Sequence, residues 1–178
     1  RARGGTGTFG WIRVLPWRDP FFSGVALAMV TFALGGFGGA INAAYAMNAM
    51  IHNTAWIQGH FHLTVGTAVA LTFMGATYWL MPRLTGRAIA FPRVAAVQPW
   101  LWFIGMQCFS IPSHIAGLMG MPRRIYTGEF QGVEAAQAWI PLVNLSAVGG
   151  VICSSRPCAT WASSSARRRK TPWRRFGR

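Results

Sequence analysis

Two long stretches without a charged residue constrain the fold of this chain more than any other feature. No Lys, Arg, Asp or Glu occurs in residues 21–82 or in residues 94–122. A helix needs about 20 residues to cross the ~30 Å hydrocarbon core of a bilayer, and only helices and closed barrels satisfy their backbone there. The sequence therefore predicts an all-α membrane protein with four transmembrane helices. Their approximate bounds are 21–43, 60–82, 95–119 and 136–152.

The distribution of basic residues favours a membrane over a nucleic-acid partner, although the formal net charge is +14. Eight of the 17 Lys and Arg residues follow Ile152, and most of the others lie near predicted helix ends. Because cytoplasmic loops attract such residues, we place the N-terminal segment, the 83–93 loop and the tail in the cytoplasm. The loops at 44–59 and 122–134 are then both on the outer side. The chain opens on Arg1 without a secretory signal pattern, as a piece of a longer protein would.

The stretch NTAWIQGHFHLTVG places His60 and His62 at the start of a predicted membrane helix. An imidazole there needs a partner, because an unsatisfied polar group in an apolar medium costs roughly 2–7 kcal/mol. Residues two apart on an α-helix are separated by about 200°, so the two rings point to opposite faces and cannot easily share one metal ion. Each ring would suit a separate flat iron macrocycle. The alternative is that both rings bond to neighbouring helices or to interfacial water.

A second basic feature lies on the same predicted side of the membrane. Arg123 and Arg124 follow the third helix on its outer side, against the usual preference of positive charge for the cytoplasm. Two guanidinium groups can hold carboxylates, such as haem propionates, in forked hydrogen bonds. The alternative partners are Glu129, Glu134 or lipid headgroups.

These segments resemble subunit I of the haem–copper oxygen reductases, the cytochrome c oxidase family. The resemblance lies in HNTAWIQGHFHLTVGTAVALTFMGATYWLMPRLTGR at 52–87 and in HIAGLMGMPRR at 114–124. It covers approximately residues 5–150 and looks most like the B-type branch. It implies that residues 1–152 are a partial transmembrane domain, corresponding to the ninth to twelfth helices of a twelve-helix bundle. The function it implies is transfer of electrons from cytochrome c to oxygen, coupled to proton translocation.

The resemblance also implies roles for individual residues. His60 matches the axial ligand of the high-spin haem, which is a-type or related, and His62 matches one axial ligand of the low-spin haem b. Arg123 and Arg124 match the pair that binds the haem propionates. His52 matches a histidine near those propionates.

Two positions carry no ligand role in this interpretation. Asn53 stands where most relatives have Asp, so the magnesium ion that many of them bind beside this position is not transferred to this chain. His114 has a counterpart in the family, but a hydrogen-bonded structural histidine is the simpler interpretation.

The copper site of the family needs three histidines, one of them cross-linked to a tyrosine, and this sequence does not supply them. We therefore expect that the chain alone does not reduce oxygen. The implied partners are the remaining subunit I helices, oxidase subunit II and cytochrome c. The implied location is the cell (inner) membrane of a bacterium or archaeon, in contact with lipid.

Three other functions stay open on the sequence. One is a nitric oxide reductase-like subunit, which shares the two-histidine helix. Another is a non-catalytic membrane module that binds haem or transports anions, and the last is a truncated product without activity.

Residues 153–178 differ in character from the rest of the chain. Ser, Arg, Pro, Cys and Trp crowd together there without helical periodicity, so we predict a disordered basic tail. Two origins are open, namely an out-of-frame read of the gene and a genuine tail that contacts anionic lipid.

Overall fold

The computed structural model describes residues 7–126, 130 and 132–155 of the protein. Four helices in these ranges are long and apolar enough to cross a membrane, namely Pro20–Ala43, Ala55–Thr85, Pro92–Leu118 and Glu134–Ser154. The described residues form no β-strand, and their one β-type pairing is an isolated bridge between Thr54 and Pro122. The predicted all-α membrane architecture with four transmembrane helices is confirmed.

The four spans are built from shorter elements, and the second of them changes helix type along its length. In chain order the elements are α1 (Gly10–Arg13), α2 (Pro20–Ala43), α3 (Tyr45–Ile51), α4 (Ala55–Phe61), π1 (His62–Val69), α5 (Ala70–Thr85), α6 (Pro92–Leu118), α7 (Glu134–Gln137) and α8 (Ile140–Ser154). The continuous segment α4–π1–α5 carries both predicted site histidines and is called the histidine helix below.

Helix starts are set by caps that the apolar pattern does not show. The histidine helix begins at Ala55 instead of residue 60, because the Thr54 side chain accepts a hydrogen bond from the Trp56 backbone N–H at 3.3 Å. Asp19 caps α2 in the same way and Pro20 follows it, so this helix begins one residue before its predicted start. At the other end of the chain, α8 continues to Ser154. The predicted tail lies outside the described residues from position 156 onwards.

Consecutive spans pack antiparallel to one another. Gly24 of α2 lies against Gly75, while Gly38 of the same helix lies against His60. The histidine helix therefore runs beside α2 in the opposite direction. It contacts α6 on another side, and α8 packs against α6. The core lies where α2, the histidine helix and α6 meet, and comprises Leu27, Ala28, Ala68 and Leu71, covered by Trp100, Trp102 and Phe103.

Large apolar side chains cover the outside of this bundle. Phe32, Phe37 and Phe73 are 61%, 73% and 68% exposed. A protein surrounded by water rarely exposes extended apolar patches of this kind. These faces suit lipid or further membrane helices.

Two adjacent glycines of α8 give a matched test of the packing between α6 and α8. A Cβ on Gly149 would lie 2.5 Å from the Gly105 carbonyl oxygen, whereas a Cβ on Gly150 would meet nothing within 4 Å. We expect Gly149→Ala to lower the free energy of unfolding by about 1–3 kcal/mol through overpacking. Gly150→Ala should be neutral or stabilising by up to ~1 kcal/mol, because alanine favours a helix. Thermal unfolding in detergent measures both, and equal effects would contradict this packing.

Candidate functional site

His60 lies on α4 and faces α2. A Cβ on Gly38 would lie 3.2 Å from the His60 Nδ1 atom, and a Cβ on Gly39 would lie 3.6 Å from its Cε1 atom. The Nδ1 atom is buried and has no hydrogen-bond partner among the described residues. Since buried polar atoms are normally paired, this ring needs a partner that the described part of the chain does not provide.

His62 faces α6 and is held by two contacts. Its Nδ1 atom lies 2.8 Å from the Gln58 carbonyl oxygen, and its ring packs on Phe109 with centroids 4.3 Å apart. A carbonyl oxygen only accepts hydrogen bonds, so Nδ1 carries a proton, and in the neutral ring Nε2 then keeps its lone pair. Metal-ligating histidines in proteins have this arrangement. The two rings meet different helices, as their two-residue spacing predicts.

The predicted arginine pair and the loop before the histidine helix lie together at one end of the bundle. The Arg123 backbone N–H donates to the Asn53 carbonyl oxygen at 2.9 Å, and the Ala55 N–H donates to the Met121 carbonyl oxygen at 2.8 Å. Arg123 is half-buried and Arg124 is exposed. These bonds hold the two loops at the same end of the bundle, which agrees with the prediction that they share one side of the membrane.

This pair of loops contains two residues in the left-handed backbone region. Asn53 has φ 61° and Arg124 has φ 60°. Left-handed geometry costs about 1–2 kcal/mol for most residues but is common for Asn, whose side chain can bond locally. Arg124 has no such advantage, and conformations of this kind cluster at functional sites. The exposed side chain of His52 is adjacent to this loop pairing.

His114 occupies a structural position. Its Nδ1 atom lies 2.8 Å from the Ser110 carbonyl oxygen, and its ring meets Trp56 edge to face at 4.6 Å. Trp56 in turn donates to the Asn42 side chain at 2.9 Å, which joins the start of the histidine helix to the end of α2. These contacts agree with the interpretation of His114 as a hydrogen-bonded structural residue.

Sequence reasoning missed two of the neighbours of the site histidines. The contact of Gly38 with His60 was not predicted, because the glycines at 35–39 indicate only close packing. The stacking of Phe109 on His62 was also missed. A signal for it existed, since Trp102, Met106 and Phe109 recur at the spacing of one helix face.

The donor set suits haem in two respects. One imidazole lies on each of two faces of a membrane helix. His62 donates its Nδ1 proton to a carbonyl oxygen, and the buried Nδ1 atom of His60 has no hydrogen-bond partner among the described residues. Two arginines lie in the loop at the same end, and they can bind carboxylates. Within the described ranges, no group of three or more His, Cys, Asp or Glu side chains could hold a metal ion. The residues present therefore fit a cofactor that takes a single protein ligand from each face.

Comparison with known proteins identifies the family. The sequence model of the family "Cytochrome C and Quinol oxidase polypeptide I" matches residues 4–152. The chain belongs to this family. Haem and copper are the cofactors of this family, and the four spans make the chain a multi-pass membrane protein.

Individual relatives agree with this assignment. The chain is 44% identical over 154 residues to cytochrome c oxidase subunit 1 of Thermus thermophilus, covering 85% of this chain and 27% of that protein. It is 34% identical over 98 residues to cytochrome bo(3) ubiquinol oxidase subunit 1 of Buchnera aphidicola, covering 54% of this chain and 15% of that protein. A cryo-EM structure of a heme-copper terminal oxidase dimer superposes with a TM-score of 0.71 at 30% identity, over 91% of this chain and 31% of that one. The chain thus matches between 15% and 31% of the length of these proteins. All of them are named oxidases, so the nitric oxide reductase-like alternative is not favoured.

Substitution of Asn53 tests whether its left-handed backbone holds the two loops together. Asn53→Val should lower the free energy of unfolding by about 1–2 kcal/mol, because a β-branched residue is strained at this φ. Asn53→Gly is the matched control and should retain the stability of the unchanged protein, since glycine adopts positive φ at no steric cost. Thermal unfolding in detergent measures both. Equal stability of the two variants would show that the backbone at position 53 is not constrained.

Proposed function

We propose that this chain is part of the catalytic subunit of a respiratory terminal oxidase. The enzyme would transfer electrons from cytochrome c to oxygen and couple the reaction to proton translocation. The observation that carries the proposal is the pair of imidazoles, His60 and His62, facing different helices inside the family-matched segment 4–152.

In this proposal each histidine holds one haem iron. His60 would hold the high-spin haem, which is a-type or related, and His62 would supply one of the protein ligands of the low-spin haem b. When bound, haem supplies reversible one-electron chemistry that no side chain of the protein provides. The hydrogen bond from His62 Nδ1 to the Gln58 carbonyl oxygen sets the tautomer in which Nε2 can coordinate. The other protein ligand of the low-spin haem and the copper ligands would come from earlier helices of the subunit.

The loop pair at the end of the bundle would bind the haem propionates. Arg123 and Arg124 supply two positive charges, and the backbone bond from Arg123 to Asn53 ties them to the start of the histidine helix. His60 lies five residues after Ala55, the first residue of the histidine helix, which is about 8 Å along the helix axis. A haem held by His60 would therefore lie close to this loop pair, which supports a propionate site there. His52 is adjacent to the same loops. We assign no magnesium ion to them, because Asn53 replaces the carboxylate of the family.

The proposal extends to partners and location. The proposed partners are subunit II, the remaining helices of subunit I and cytochrome c. The proposed location is the inner membrane of a bacterium or archaeon, and the enzyme would belong to the B-type branch of the family. The higher identity to the Thermus cytochrome c oxidase than to the Buchnera ubiquinol oxidase, 44% against 34%, supports cytochrome c as the donor. Residues 1–152 form the subunit I segment, which the end of the family match at residue 152 supports. The origin of residues 153–178 is tested by sequencing the 3′ end of the gene.

The ligand assignments are tested in the complete subunit that contains this segment. We expect His62→Ala to abolish the low-spin haem absorbance, and His60→Ala to abolish the high-spin haem signal that responds to carbon monoxide. His114→Asn is the control and should keep both signals, because the amide can still donate to the Ser110 carbonyl oxygen. Normal optical spectra of both haems in the double alanine variant would refute the proposal.

The arginine assignment is tested by redox titration of the same enzyme. Replacing Arg123 and Arg124 by Gln leaves the propionates more negative, which favours oxidised haem. One unit charge at ~10 Å in an effective dielectric of ~20 is worth on the order of 1–2 kcal/mol, so the midpoint potentials should fall by tens of millivolts. Arg87→Gln alters a charge beyond α5, at the opposite end of the bundle, and should change neither potential. Equal potentials in all variants would place the propionates elsewhere.

A further inference from the structure

The helix that carries His62 departs from α-helical geometry at this residue. Residues His62–Val69 form a π-helix, with α-helix before and after it. π-helical segments are rare, occur mostly as single turns inside α-helices, and are frequent at functional sites. A segment of eight residues therefore needs specific contacts to hold it.

One such contact comes from within the segment. The Thr67 hydroxyl donates to the backbone carbonyl oxygen of His62 at 2.7 Å, across five residues. Thr67 is fully buried. The ordinary pattern is seen just beyond the segment, where the Thr72 hydroxyl donates to the Ala68 carbonyl oxygen four residues back at 2.8 Å. Thr67 is thus tied directly to the backbone of the proposed haem ligand.

A second contact comes from α6. The Trp102 indole N–H donates to the Gly66 carbonyl oxygen at 3.0 Å, and a Cβ on Gly66 would lie 2.6 Å from the Met106 methyl carbon. Phe109, on the same face of α6, packs against the His62 ring. One face of α6 therefore contacts the π-segment at its middle and at its first residue.

We propose that Thr67 and Trp102 are positioning residues, which hold the π-turn and so fix the direction of the His62 ring. The proposal rests on the proposed role of His62 as a haem ligand. Relaxation of the segment to α-helical geometry would rotate His62 relative to the residues after it, since π- and α-helices have different residues per turn. The His62 ring would then turn away from Phe109 and from the face of α6 on which Phe109 lies.

The experiment uses the assembled enzyme and removes one hydrogen bond at a time. Thr67→Val keeps the shape of the side chain but loses the hydroxyl, and Trp102→Phe keeps an aromatic ring but loses the indole N–H. We expect each to shift the electron paramagnetic resonance g values of the low-spin haem, while the haem content and the carbon monoxide spectrum of the high-spin haem stay unchanged. Thr67→Ser should restore the original g values. Thr72→Val removes an equivalent hydroxyl outside the π-segment and should cause no shift.

His62→Ala, measured in the same series, separates this proposal from the one it rests on. If His62→Ala abolishes the low-spin signal while Thr67→Val and Trp102→Phe leave the g values unchanged, the positioning role is refuted and the ligand role stands. If His62→Ala retains the low-spin signal, the ligand role itself is refuted. Should Thr67→Val fail to assemble, Trp102→Phe decides the outcome, since it removes the second hydrogen bond and keeps an aromatic ring.

Discussion

Close backbone contact between the histidine helix and α6 is the interaction on which the rest of the structure depends. A Cβ on Gly59 would lie 2.9 Å from the Ser110 carbonyl oxygen, and Gly117 lies against the backbone of Trp56. The Ser110 hydroxyl donates to the Gly59 carbonyl oxygen at 2.7 Å. In lipid, helix association relies on such small residues and interhelical hydrogen bonds, because apolar burial drives it only weakly. This contact brings α6 close enough for Phe109 to reach His62.

Most polar side chains inside the bundle have hydrogen-bond partners among the described residues, but a few buried ones do not. Most serine and threonine hydroxyls bond to carbonyl oxygens of their own helices, as Thr31 does with Leu27 and Ala28. Three buried side-chain nitrogens have no partner among the described residues, in His60, Gln107 and Trp139. Each such group is costly in an apolar medium. Of these three, only His60 belongs to the two-histidine motif, and it is the residue for which we propose a haem ligand role.

Much of the fold could be predicted from the sequence, because the ability to cross a membrane depends on the composition of a single segment. The four spans and the shared side of the two outer loops follow from apolar length and from the placement of Lys and Arg. The opposite faces of His60 and His62 follow from their spacing. The start of the second helix at Ala55 did not follow, since it depends on a cap at Thr54 that precedes the apolar run.

The sequence by itself determined the class of protein, the four apolar spans, and the histidine and arginine residues that we propose bind haem. Only the tertiary structure decided the left-handed backbone of Asn53 and Arg124, the π-segment after His62, and the ring that covers His62. These features depend on contacts between residues far apart in the chain, such as Trp102 with Gly66 and Arg123 with Asn53. Local propensity carries no information about such contacts, because each exists only when two helices or loops are already packed together.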